Sequence, residues 1–380
     1  MKIRTLSAHP LCHTLREPFA YAGKWVRQRT ALLVKVETDS GLTGWGEVFC
    51  ADAWPALAAL IERVFEPLLV GEEALAIAVV WDKLYSWTRD YGQKGLTTAA
   101  ISGIDIALWD ILGQATGQPV SVLLGGAFRN RVRCYATGLY RTRASMEFPV
   151  VLAREASSYV AQGFTAVKMK VGFGLERDIR AVAAVREAIG DGIDLMVDAN
   201  HALDVPRAIA LGQAIAPQRI AWFEEPVVPE DLEGYRAVRQ ALPMPIAGGE
   251  AEFTRYGFRE LVSRGAVDIA QPDISLAGGI SETAKIAALC QAWHVRCLPH
   301  VWGTGVALAA ALHLLAALPD EPASLTPSPP LCEYDRTENP LREETLTSPI
   351  PLVDGCLLVP QGPGLGVQVD ERALERFRAE

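Results

Sequence analysis

Apolar positions along the chain follow two different rhythms. In the first third, TALLVKVE at 30–37 is rich in β-formers, and DSGLTGWGE reads as a turn into a further strand. Ala56–Leu69, Ala74–Trp87 and Leu96–Ala115 then carry helical spacing. The last is so rich in small and apolar side chains (Ala99, Ala100, Ile104, Ala107, Leu108) that deep burial is expected. LLGGAF at 123–128 reads as a helix stop and a boundary. A sheet followed by helices is an α+β pattern.

From about residue 132 the rhythm alternates. Short β-rich runs recur at 132–137, 166–171, 194–200, 220–227, 244–250, 267–273, 295–300 and 331–335. Helix-compatible stretches such as Leu175–Ile189, Pro206–Ile215, Leu232–Leu242 and Ser281–Trp293 lie between them. Strands alternating with helices in this way predict an α/β fold of the (β/α) barrel type. The tail from Val353 shows two β-like runs around QGPG and a short terminal helix.

The polar residues of the second region sit at the C-terminal ends of the expected strands, where this architecture builds its active sites. Asp198, Glu224 and Glu250 end three consecutive strands and present hard oxygen ligands, the donor type that favours Mg²⁺ or Mn²⁺. Without a cation, three carboxylates in one cavity would repel each other and protonate. Lys168 and Lys170 are two apart, so in a strand both face the barrel interior. Burial beside a metal and a second cation is expected to lower the Lys170 pKa towards that of a base. His300 ends the seventh strand and Asp273 the sixth, so a carboxylate can orient the imidazole and raise its pKa. Glu333 ends the eighth and, kept protonated in an apolar setting, would donate a hydrogen bond. Solvated loop acids, an exposed edge strand, or a Schiff-base lysine at Lys170 remain alternatives.

Composition narrows the class. The 380 residues are 50% hydrophobic, ample for a large core, and carry a net charge of −9. A nucleic-acid partner would need a basic stripe, and none is evident. Seven scattered cysteines without a CxxC pair read as reduced thiols. The N-terminus lacks an apolar signal core, and Gly305–Pro319, the longest apolar stretch, is interrupted by His313 and too short for a bilayer. A cytoplasmic protein without a membrane partner is expected.

With these residues in place, the sequence resembles the mandelate racemase/muconate lactonizing enzyme family of the enolase superfamily across essentially its whole length. The resemblance is carried by ISGIDIALWDILGQATGQPV (101–120), KMK (168–170), DAN (198–200), FEEP (223–226), GGE (248–250), PD (272–273) and PHVWGTG (299–305). It implies a (β/α)7β-type modified TIM barrel over 129–352, an N-terminal α+β capping domain over 1–128, and a C-terminal segment, 353–380, that returns to the cap. It further implies Mg²⁺ held by Asp198, Glu224 and Glu250, with Lys170 on one face of the substrate and His300, held by Asp273, on the other. Lys168 would contact the carboxylate and Glu333 would hydrogen-bond the intermediate; enediolate chemistry of this kind is an established pattern for the superfamily.

YATGLYR (135–141), KMKVGFG (168–174), WFEEPVVPEDL (222–232) and EYDRTENPLR (333–342) resemble members that open sugar-diacid lactones by β-elimination. Acid-sugar dehydration and racemisation or epimerisation stay open, as do an aldolase and a non-catalytic relative. The implied partner is a small sugar acid or lactone, with a homo-oligomer as the usual assembly. Asn200, Trp302 and the cations Lys24, Arg27 and Arg29, placed in a cap loop spanning 17–29, are candidate substrate contacts.

Overall fold

Where TALLVKVE alternates, the chain pairs. The computed structural model describes residues 1–142, 148–321, 325–326 and 328–379. Strands β1 (Ile3–Tyr21), β2 (Lys24–Thr38) and β3 (Thr43–Val48) form an antiparallel sheet whose apolar face packs on helices Trp54–Leu60, Ile77–Thr88 and Leu96–Thr116. Segment 17–29 is thus a β-hairpin and not a loop: Phe19, Ala20 and Tyr21 pair with Val26, Trp25 and Lys24. The family resemblance implied a cap loop here; pairing of its two arms instead satisfies their backbone groups as a ladder.

Leu96–Thr116 is long and apolar enough to cross a bilayer by length and composition, yet 83% of its most apolar window is buried inside the fold. A helix that is apolar on all sides belongs in a core.

The second region folds as its rhythm implied. β4 (Arg131–Thr137) is followed by the two-residue β5 (Arg141–Thr142), which joins the cap sheet beside Phe19 and Ala20. β6 (Ala166–Lys170), β7 (Asp194–Asp198), β8 (Ile220–Glu224), β9 (Ile246–Gly248), β10 (Ile269–Ala270), β11 (Arg296–Cys297) and β12 (Cys332–Asp335) follow. Their parallel order is β12-β4-β6-β7-β8-β9-β10-β11, with helices Val150–Ala161 through Gly305–Ala317 between successive strands, a (β/α)7β barrel. The strands are shorter than the β-rich runs: Lys168, Lys170, Asp198, Glu224 and Glu333 remain within them, whereas Glu250, Asp273 and His300 lie just beyond β9, β10 and β11.

The tail departs from the sequence reading. Its hairpin, β13 (Leu352–Val353) and β14 (Cys356–Leu358), turns at Asp354–Gly355 and not at QGPG, and β14 pairs antiparallel with the start of β4. The proline- and glycine-rich run beyond it makes single bridges only, since proline lacks the donor a ladder needs. The chain then reaches the cap sheet, where Arg378 bridges Leu11. All seven cysteines are free thiols.

A side-chain layer along the barrel axis prepares the site. Tyr135, Ala166, Met196, Trp222, Ala247, Ile269, Leu298 and Leu331 form an apolar plug in the barrel interior. Because strand side chains repeat every two residues, the next inward positions are Thr137, Lys168, Asp198, Glu224, Gln271, His300 and Glu333. The plug is therefore the floor of a polar chamber.

His313, in the seventh barrel helix, ties three segments together. Its Nδ1 accepts from the Ser121 amide at 3.2 Å, and its Nε2 lies 3.0 Å from the Leu365 carbonyl. Burial pushes its pKa down to about 4 despite that carbonyl. The unfolded chain protonates near 6.5, so the contribution of the neutral ring is present above 6.5 and is lost as pH falls from there to about 4. The loss is on the order of 3 kcal/mol for a shift of this size. Urea unfolding across that window should show a steep decline that His313→Gln flattens; an unchanged slope would contradict this role.

Candidate active site

The strand ends bring a charged cluster onto the apolar floor. Lys168 is fully enclosed; its Nζ is salt-bridged to Glu224, lies 2.9 Å from Glu333 Oε1 and 3.7 Å from Asp198 Oδ2. Lys170 is bonded to Asp198 Oδ2 at 2.5 Å and lies over the Tyr140 ring. Across the cluster, His300 Nδ1 is 2.6 Å from Asp273 Oδ2, while its Nε2 looks towards Glu250 at 3.7 Å and Glu333 at 4.0 Å. Lys170 therefore flanks the Asp198 end of the acidic row and His300 the Glu250 end.

Asp198, Glu224 and Glu250 each offer a ligand atom within 4.8 Å of the others'. Three hard oxygen donors at that spacing could hold one divalent cation such as Mg²⁺. Glu250 lies beyond β9, and its approach depends on Gly249, whose φ of +122° is accessible only to glycine at little strain. Glu224 is held from its other side by Trp222 Nε1 at 2.9 Å and Gln271 Nε2 at 2.7 Å. Burial raises the Glu224 pKa to about 7 against the pull of Lys168. Asp198 is likewise buried, but Lys170 and Lys168 outweigh that and hold it ionised.

Burial lowers the Lys170 pKa, but Asp198 sits so close that the carboxylates by themselves make the net shift upward; the lowering expected beside a bound metal concerns a different state of the site. One expectation needs correcting. Glu333 was expected to stay protonated; burial does push it that way, but Lys168 and His300 prevail and bring it to about 2. Glu333 is instead a carboxylate that accepts from Thr137 Oγ1 at 2.6 Å and from the Val301 amide at 3.2 Å. His300 moves in the expected direction, to about 10: burial opposes the shift, and Glu250, Asp273 and Glu333 overcome it.

The cap candidates separate. Lys24 and Arg27 are exposed and, with Trp302, line a cavity of about 680 Å³ between the hairpin and the strand-seven loop. Arg29 borders the same cavity but is buried and committed elsewhere. It pairs with Asp335 and bonds the Glu338 carbonyl at 3.2 Å, its guanidinium 4.1 Å from the Trp302 ring centre. Its charge is already neutralised by the barrel. Asn200, at a left-handed φ of +41°, donates its amide to Asp198 Oδ1 at 2.8 Å and leaves its side-chain oxygen without a bond.

Sequence reasoning passed over Glu225. As the neighbour of Glu224 it should face away, but β8 ends at Glu224 and a φ of +45° turns residue 225 inward. It is buried 3.2 Å from His201 Nδ1, with its pKa raised by burial and by Glu250, Asp198 and Glu224. The doubled glutamate of FEEP was the only available signal. Tyr21, from the hairpin, also faces this cluster: burial first, then Glu250, lifts its pKa to about 12.

Comparison with known proteins places these features. Residues 151–373 match the family model "Enolase C-terminal domain-like", and 3–125 match "Mandelate racemase / muconate lactonizing enzyme, N-terminal domain". The chain is 46% identical to D-galactarolactone cycloisomerase of Agrobacterium fabrum, covering 100% of this chain and 99% of that protein. It is 33% identical to arabinonate dehydratase of Saccharolobus solfataricus, covering 100% of both. The crystal structure of 3,6-anhydro-D-galactonate cycloisomerase from Zobellia galactanivorans superposes with a TM-score of 0.90 at 43% identity, covering 100% of both chains.

Lys168 is the cation on which Glu224 and Glu333 depend. Lys168→Met should cost about 3–5 kcal/mol, the usual consequence of stranding a buried charge. Adding Glu224→Gln should recover part of that in thermal unfolding. Strictly additive losses would show that the pair is not coupled.

Proposed function

The chain is an isomerase or lyase of the mandelate racemase/muconate lactonizing enzyme family in the enolase superfamily, and from that premise we propose that it opens a sugar-diacid lactone, as a galactarolactone-type cycloisomerase. The observation that carries this reading is the placement of two proton-transfer groups, Lys170 and His300, at opposite ends of an acidic row able to hold one cation. The 46% identity to D-galactarolactone cycloisomerase supports the substrate class.

The carboxylate of the substrate would lie over Asp198, Glu224 and Glu250, with the α-carbon between Lys170 and His300. Mg²⁺ bound to those three residues would offset the second charge that develops on the substrate carboxylate and draw off the negative charge that keeps Lys170 protonated. Lys168, fixed by Glu224 and Glu333, adds positive charge from below. The α C–H bond breaks with its proton going to the base on that face. The bond from the β-carbon to the ring oxygen then breaks, and the ring oxygen leaves as part of a new carboxylate. The resulting enol takes a proton at the β-carbon and becomes the deoxy-keto diacid. His300, oriented by Asp273, is placed to take or deliver a proton on its face; the configuration at the α-carbon decides which face loses one. Trp302, with the Phe19 and Tyr140 rings 6.1 and 6.0 Å away, walls the chamber from water. Lys24 and Arg27 would meet a distal carboxylate, and Asn200 a substrate hydroxyl.

A second reading, dehydration of an open-chain sugar acid, draws on the arabinonate dehydratase relative. It uses the same first step and loses a β-hydroxyl in place of the ring oxygen. Free thiols fit a cytoplasmic enzyme, and a symmetric homo-oligomer completes this proposal.

In D₂O with MgCl₂, galactaro-lactone should lose its α-proton signal and open, and EDTA should stop both. An intact ring with turnover of arabinonate would move the assignment to dehydration. Lys170→Met and His300→Asn should each lower kcat about 10²–10⁴-fold with a smaller change in KM. Retention of activity in both variants would remove this mechanism.

A further inference from the structure

Glu47, at the end of β3 in the cap, is buried and points at the barrel. Its Oε1 accepts from the Thr304 amide at 2.8 Å, and its Oε2 accepts from Thr304 Oγ1 at 2.6 Å and the Ala307 amide at 2.9 Å. These donors open the helix Gly305–Ala317, so a carboxylate from one domain caps a helix of the other. Gly303 admits it: a Cβ there would fall 2.5 Å from Glu47 Oε1. The capped segment begins four residues after His300.

Two residues on, Phe49 reaches the same dyad by a second path. Its amide donates to the Ser275 carbonyl at 3.0 Å, and Ser275 donates to Asp273 Oδ1 from its amide at 2.7 Å and its hydroxyl at 2.5 Å. The Phe49 ring also meets His300 edge-on, with centroids 6.2 Å apart. Both members of the dyad are thus tied to one short piece of the cap, whereas Lys170 is positioned by β6 and Asp198 inside the barrel.

We infer that Glu47 and Phe49 are positioning residues for the histidine face of the active site, so that cap docking orders the Asp273–His300 dyad independently of Lys170 and the acidic row. The catalytic consequence rests on the proton-transfer reading above. The ordering of the dyad does not.

Two readouts separate them in the full-length protein. The first needs no substrate. The Nδ1 proton of His300, in a 2.6 Å bond to Asp273, should give a far-downfield NMR signal, assigned by its loss in His300→Asn. Glu47→Gln should broaden or abolish that signal while Mg²⁺ still raises the melting temperature. A sharp, unshifted signal in Glu47→Gln would overturn the inference. The second readout is α-proton exchange in D₂O with a pair of substrates epimeric at the α-carbon. Glu47→Gln should slow exchange on the His300 face about 10- to 100-fold, the scale of a slightly misplaced catalytic group, and change the Lys170 face less than about twofold. Equal slowing of both faces would mean a merely structural role and would overturn it. Should Glu47→Gln fail to fold, Phe49→Leu reads the same asymmetry. Wild-type protein that exchanges neither epimer would sink the functional reading, while the NMR signal would still decide the positioning role.

Discussion

Asp198, Glu224, Glu225, Glu250, Asp273 and Glu333 converge on one enclosed chamber, faced by Lys168, Lys170 and His300. Negative charge exceeds positive in that set, and charge taken out of water is tolerable only when it is paired. Burial first, and the neighbouring carboxylates after it, push the pKa values of Glu224 and Glu225 upward, while Glu250, Asp273 and Glu333 raise that of His300 against burial. A divalent ion is the natural complement to such a surplus. The arrangement is poorly suited to folding and well suited to stabilising a second negative charge on a bound carboxylate.

The rest of the architecture holds that cluster in register. The apolar plug fixes the floor, and period-two alternation sets the charged layer immediately above it. The cap then fastens itself to the mouth with buried carboxylates. Glu47 caps the seventh barrel helix, and Asp105 accepts from the Ser281 amide at the start of the sixth, whose own N-cap, Gly278, offers no side chain. Arg29 likewise reaches from the cap to Asp335 at the end of the eighth strand. Strands six, seven and eight are therefore fastened to the cap at their upper ends, close to Asp273, His300 and Glu333.

Much of this was legible in the chain because it follows from local rules. A charge two positions beyond an inward apolar residue must also face inward, which places Lys168, Asp198, Glu224 and Glu333 from the sequence alone. The same rule gives no hint of Glu225, since a left-handed residue at the strand end breaks the alternation. Arg29 looked like a free loop cation; its true partner, Asp335, is distant in sequence and has no local signature. The pKa direction of Glu333 failed for a related reason. Burial can be read from an apolar context, whereas the sign of the nearest charge depends on which strand ends meet. Glu47 lay in a recognisable turn-strand motif, GWGE, but its role as a cap for another domain's helix is purely tertiary.

The account turns on three carboxylates sharing one ion. A crystal of the protein grown with Mn²⁺ and measured at the manganese absorption edge tests this most directly. The account predicts a single strong anomalous peak about 2.0–2.3 Å from an oxygen of each of Asp198, Glu224 and Glu250. A map without a peak among them, or with the peak held by other side chains, would contradict it.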